Sequence, residues 1–322
     1  MKKNKPLNPF LVPLSIKSSG DIKVDEMLHT LLFIIKPIED SMSSEEEQPE
    51  EIPGMKLIWY DEFNGNGLDE SKWTWETGFV RNEELQWYQR DNISCKDGNL
   101  IIEGRVERVL NPNYEPGSSD WKKKRQYAEY TSACIKTPGK FQFKYGRLLV
   151  RAKIPTTSGS WPAIWTLGNK WEWPMNGEID ILELYLKNGV PGILANAAWG
   201  SNKRWSPVWD SSFKKLSDFV NKDSDWVNKY HIWRMDWDEN CIKLYLDDVL
   251  LNQIETSKTK NGSGNGSNPL EGAYQNPFSN NISDFGHYIL LNLAIGSNGG
   301  TPDKNYFPLK YYVDYVRVYQ KE

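Results

Sequence analysis

From residue 55 onward the sequence runs in short segments whose apolar residues recur at every second position. The clearest are KFQFKYGRLLVRAKI (140–154), HIWRMDW (231–237), CIKLYLDD (241–248), HYILLNLAI (287–295) and YYVDYVRVY (311–319). Successive side chains of a strand point to opposite faces, so each such segment buries one face and presents the other. Gly, Asn, Asp and Pro separate the segments, and DEN at 238–240 has the composition of a hairpin turn. Helical spacing is confined to 211–230, and 257–270, with its NGSGNGSN, reads as a flexible loop. No internal repeat is present, so the pattern predicts an all-β fold over residues 54–322: a β-sandwich of two packed antiparallel sheets.

Residues 1–26 mix Pro, Lys, Ser and Gly without periodicity, and SSEEEQPEEIP (43–53) is too acidic to bury surface. Residues 1–53 therefore read as a leader and an acidic linker without ordered structure. The start, MKKNK, is basic like that of an exported chain, but the apolar cluster LLFII (31–35) lies late unless translation begins at Met27. No apolar run approaches the roughly 20 residues that span a bilayer. With 39 Lys plus Arg against 43 Asp plus Glu and no basic block, nucleic acid is excluded as a partner. Cys95, Cys134 and Cys241 are odd in number and lack C-x-x-C spacing, which argues against a disulfide framework or a zinc site.

The stretch MNGEIDILELY (175–185) departs from the pattern, because it sets Glu178, Asp180 and Glu183 into an otherwise apolar strand. A buried carboxylate costs several kcal/mol unless it is used or neutralised. Glu178 and Asp180 share one face by parity. Glu183 joins them if a β-bulge at Ile181 or Leu182 adds one residue, and bulges are over-represented beside active sites. The competing reading is an edge strand whose acids meet water or pair with Lys and Arg.

The neighbouring sequence bears on that choice. Trp161, Trp165, Trp171 and Trp173 lie just upstream in SWPAIW and WEWPMNG, and Trp199, Trp205 and Trp209 follow. Aromatic residues make up 13% of a chain whose mean hydropathy is a polar −0.66, which suits rings that face a polar ligand. Aromatic faces stack on the C–H faces of sugars. Cutting a glycosidic bond takes a proton donor and either a base or a nucleophile, and a third carboxyl between them can separate their pKa values. Activity would then be bell-shaped in mildly acidic to neutral conditions.

NGEIDILE, in its bulged E-x-D-x-x-E form, resembles the signature of glycoside hydrolase family 16, as in laminarinases, agarases, carrageenases and porphyranases. LIWYDEFNG, NEELQWY, YTSACIKTPGKFQFKYGRLLVRAKIP, WPAIWTLG, QNPF, LNLAIG and VDYVRVYQ extend the resemblance in order from about residue 55. It implies a β-jelly roll with a concave substrate cleft and a retaining, endo-acting mechanism. Glu178 would be the nucleophile, Glu183 the acid/base and Asp180 the assisting carboxylate, with no cofactor in catalysis. Trp161, Trp165, Trp173, Asn82, Gln275 and Asn276 match positions that line or edge the cleft. One departure stands out: many laminarinases carry a His in an H-aromatic-G stretch on the next strand, where this chain reads LANAAWG, with Ala198 before Trp199. Asn196, of the same parity as Ala198, would present an amide there. The resemblance also implies a structural calcium held by Glu62 and Asp314, unless these are surface acids beside Lys or Arg.

The expected activity is that of an endo-β-glucanase acting on β-1,3 or mixed β-1,3/1,4-glucan. A red-algal galactan hydrolase, for which Arg81, Arg125 and Arg204 would serve, and a non-catalytic glucan-binding lectin are the alternatives. The polysaccharide is the expected partner, a monomer the default state, and a polymer substrate implies a place outside the cytoplasm. Specificity would rest on loops at 110–128, 200–226 and 257–285. His231 and His287 read as strand residues.

Overall fold

Residues 49–264 and 270–322 are described by the computed structural model. Residues 1–48 of the expected leader and linker at 1–53, including LLFII, and the loop residues 265–269 lie outside them. Glu51–Glu322 forms one compact unit, a β-jelly roll of two stacked sheets. The seven-stranded sheet runs, edge to edge, Pro207–Lys215, Val190–Gly200, Glu178–Lys187, Ser160–Gly168, His287–Ile295, Cys134–Lys136 and Thr74–Trp75. The ten-stranded sheet behind it is centred on Gly146–Lys153 and Leu309–Lys321. Pairing is antiparallel except where Gln86–Tyr88 runs parallel to Tyr127–Ser132.

The alternation read from the sequence determines which residues meet between the sheets. Leu148, Val150, Ala152, Trp233, Met235, Val316 and Val318 from one sheet pack with Ile164, Ile179, Ile193, Ala195, Ala197, Leu291 and Leu293 from the other. Burial of each large aliphatic side chain contributes roughly 1.5–3 kcal/mol before entropy is counted. Residues of opposite parity on the seven-stranded sheet, Ala163, Trp165 and Leu290, join Tyr88 and Cys134 in a second apolar cluster. Trp165 in that cluster forms part of the cleft wall.

The hairpin at 238–240 joins His231–Trp237 to Cys241–Leu246 as expected. The helix expected over 211–230 is corrected: 211–215 completes the edge strand Pro207–Lys215, and the helix is the five residues Leu216–Val220. Pairing with Val190–Gly200 overrides the local helical spacing. Likewise 140–145 lies outside the strand Gly146–Lys153.

Candidate active site

The segment Glu178–Lys187 is an inner strand of the seven-stranded sheet, and its register breaks where the three carboxylates require. Against Ser160–Gly168, Asp180 pairs with Trp165 and Leu182 with Ile164, so Ile181 is the extra residue. Against Val190–Gly200, Asp180 pairs with Asn196 and Glu183 with Leu194. Ile181 and Leu182 are both fully buried in the main core. The bulge thus sends two consecutive apolar side chains inward and returns Glu183 to the face of Glu178 and Asp180. Gly177, at φ +80°, makes the turn into this strand, and a Cβ there would lie 2.6 Å from Pro277.

All three carboxylates line one cavity of about 420 Å³ together with Arg81, Asn82, Glu84, Trp161, Trp165, Trp173 and Asn292. Trp173 Nε1 donates to Glu178 Oε2 at 2.8 Å, Trp161 Nε1 to Glu183 Oε1 at 3.1 Å, and Asn196 Nδ2 to Glu183 Oε2 at 3.0 Å. Asp180 is 1% exposed, whereas Glu178 and Glu183 keep partial exposure to the cleft.

Burial pushes Glu178 up to about 7, against the hydrogen bonds from Trp173 and Asp180 and the charge of Arg81. Burial, reinforced by the charge of Glu178, carries Glu183 to about 8, against the bonds from Trp161 and Asn196. Burial followed by both neighbouring charges raises Asp180 well above the carboxylate range. Burial and the two flanking acids therefore favour the protonated form of the central carboxyl. The strand thus presents three interacting carboxyls, all held towards their protonated forms by burial.

A second charged group flanks the triad. Arg81 is ion-paired with Glu76, which Lys136 also holds at 3.1 Å. The guanidinium stacks 5.2 Å from the Trp165 ring. Trp165 Nε1 donates to Asn292 Oδ1 at 2.7 Å, and Asn292 Nδ2 to the Tyr88 hydroxyl at 3.1 Å. Glu84 accepts from Gln86 at 2.6 Å and from Asn82 at 3.3 Å. A buried-carboxylate cleft walled by indole rings and amides suits a neutral polyhydroxyl chain.

The sequence profile of Glycosyl hydrolases family 16 matches residues 82–271, which include the whole triad strand. The chain belongs to glycosyl hydrolases family 16. This family 16 chain is 32% identical to the glucan endo-1,3-beta-glucosidase A1 of Niallia circulans over 84% of its length, and 37% identical to the beta-1,3-glucan-binding protein of Penaeus monodon over 54%. It spans 39% and 49% of the lengths of those two proteins. Among solved structures it resembles one from work on endo-acting O-glycanases that members of the human gut microbiota express to initiate mucin breakdown. The TM-score there is 0.72 at 34% identity, covering 85% of this chain and 94% of that one.

The other residues singled out in the sequence fall in different places. Trp199 is corrected: it is 9% exposed and points into the main core with Ala195 and Ala197, because its parity is opposite to that of Asn196 and Ala198. Asn196 is 2% exposed and bonds Glu183 rather than lining the open cleft. Gln275 and Asn276 do not line the cleft. Asn276 accepts from Thr259, Phe278 and Ser279 and donates to the Thr256 carbonyl, which braces the loop beneath Gly177. Gln275 is an exposed loop residue whose carbonyl accepts from the Asn261 amide. His231 and His287 are buried strand residues, the latter lowered to about 3 by burial.

The expected calcium donors are taken by guanidinium groups. Glu62 accepts two bonds from Arg317, at 2.8 and 2.7 Å, and Asp314 pairs with Arg151. No group of three or more His, Cys, Asp or Glu able to hold a metal occurs among the described residues. Each of the two expected donors thus faces a guanidinium.

Sequence reasoning missed Glu84, Asn292 and Tyr185 as cleft residues and left Trp209 unassigned. Asn292 and Tyr185 carried a usable signal in their strand parity, whereas Glu84 sits in a loop between Asn82 and Gln86 with none. Trp209, 44% exposed, lines the cleft from the edge strand Pro207–Lys215, just ahead of the segment where helical spacing was read.

Proposed function

We propose that this chain is a retaining, endo-acting β-glucan hydrolase that cuts β-1,3 or mixed β-1,3/1,4 linkages. The observation that carries the proposal is the bulged triad, with each outer carboxylate held by an indole donor on the floor of an open cleft. Glu178, ionised, attacks the anomeric carbon while Glu183 gives its proton to the departing glycosidic oxygen, leaving a glycosyl ester on Glu178. Glu183, now a carboxylate, takes a proton from water. The resulting hydroxide attacks the anomeric carbon and frees Glu178. Asp180 holds the proton that bonds Glu178 and keeps a third negative charge out of the cleft. Trp161, Trp165 and Trp173 with Asn82 and Asn292 position the sugars. The reaction needs no cofactor.

The solved structure from the O-glycanase work, at 34% identity over 85% of this chain, favours a second reading: an endo-acting hydrolase of mucin O-glycans. Ala198, in place of the His of many laminarinases, is consistent with it. Sulfated galactans are less well served, because Arg81 alone of the three candidate arginines lines the cleft. Arg204 is bound to Glu172, and Arg125 stacks on Phe79. The likeness to a glucan-binding protein gives a third reading, binding without cleavage.

Chromatography of products from laminarin, mixed-linkage glucan, agarose, porphyran and mucin O-glycans separates the readings. Short glucan oligosaccharides are expected. Products from galactose-containing glycans alone would reassign the substrate, and binding of glucan with no product from any would establish the third reading. A polymer too large to enter a cell places the proposed enzyme outside the cytoplasm, and a site built wholly from one chain suits a monomer.

A further inference from the structure

The bulge leaves Glu183 opposite Leu194, yet an amide two residues further along that strand reaches its carboxylate. Asn196 holds Oε2 from one neighbouring strand while Trp161 holds Oε1 from the other. Asn196 stands among residues chosen for burial: Ala195, Ala197 and Ala198 are each at most 1% exposed. Its own Oδ1 is buried without a partner, and its side chain also faces Asp180, its register neighbour, whose carboxylate form it favours. An unsatisfied buried acceptor is destabilising, a cost that an apolar side chain at 196 would not incur. The cost is offset at Glu183, whose ionised form the amide stabilises by hydrogen bonding.

We infer that Asn196 is the positioning residue of the acid/base: its amide sets the orientation of Glu183 and stabilises the carboxylate that must act as base in the second half-reaction. This rests on the role proposed for Glu183. Other groups facing that carboxylate are Glu178 and Asp180 on its own strand, Tyr185 further along, and Glu84 from the loop before Gln86–Tyr88. None of them is a cation, so the neutral donors Asn196 and Trp161 oppose burial and the surrounding acids. Ala198, opposite Glu178, brings only a methyl.

The test is a ¹³C NMR titration of the full chain labelled at glutamate carboxyl carbons, with the Glu183 signal identified by its loss in Glu183→Gln. In Asn196→Leu, and in Asn196→Ala should the first variant fold poorly, the Glu183 midpoint is expected to rise by about one pH unit or more. The basic limb of kcat/KM on laminarin should rise with it. A purely structural asparagine would lower the melting temperature and leave the titration where it was, and that result overturns the inference. The titration needs no substrate. Failure of the wild-type protein to cleave any of the glycans above would instead overturn the hydrolase reading, and with it the role given to Asn196.

Discussion

The chemistry proposed at the site depends on two glutamates with the same intrinsic acidity that must differ in protonation. Glu178 has Trp173, the Asp180 proton and the Arg81 charge on its side, whereas Glu183 faces the Glu178 charge and Glu84. Replacing Glu183 with Gln should slow glycan cleavage by about 10²–10⁴-fold, the range typical of a lost general acid/base, and Glu178→Gln should cost more because no ester can form. Steady-state rates on the preferred glycan check both. The sign of the pH dependence follows from the same groups: activity rises as Glu178 loses its proton near about 7 and falls as Glu183 loses its own near about 8. The kcat/KM profile should therefore be a narrow bell on the neutral to weakly alkaline side.

At the scale of the strand, the bulge is the device that makes E-x-D-x-x-E workable. Deleting Leu182 would restore unbroken alternation and, by parity, leave Glu183 on the cleft face. It would also shift that carboxylate relative to Trp161 and Asn196 and remove a buried leucine. The variant should fold with a loss of about 2–5 kcal/mol and turn over roughly 100-fold more slowly, as expected for a misplacement of about 1 Å. Chemical denaturation and rate measurements on the purified variant check the two parts. Parity also explains where the tryptophans fall in the structure: Trp161 and Trp165 each lie two residues from Ala163 along one face, while Trp199 falls on the core face. The edge strand Pro207–Lys215 was not legible, because an edge strand has one paired side and exposes much of its length, which blurs the alternation.

For the whole molecule, the triad is a liability to stability. Unfolded glutamates ionise near about 4.3, but the folded protein retains these protons to about 7 and about 8, so the native state binds more protons between those limits. Stability from this source is full at low pH and is lost as pH rises through that window. Glu183→Gln should accordingly melt at a higher temperature than wild type at pH 8, with the gap closing by about pH 4, as read by thermal scans across pH. The Glu62–Arg317 and Asp314–Arg151 pairs lead to a separate expectation: neither EDTA nor added calcium should change the melting temperature, because the carboxylates already have cations.

The sequence by itself determined the two-sheet fold, the triad and the need for a bulge, because strand parity and the cost of burying charge are local properties that a single segment expresses. Tertiary structure alone decided that Ile181 is the inserted residue, that Asn276 braces a loop while Asn196 holds Glu183, and that Arg317 pairs with Glu62. Those outcomes depend on which strands become neighbours and in what register, and a pairing between residues distant in the chain leaves no trace in either segment alone.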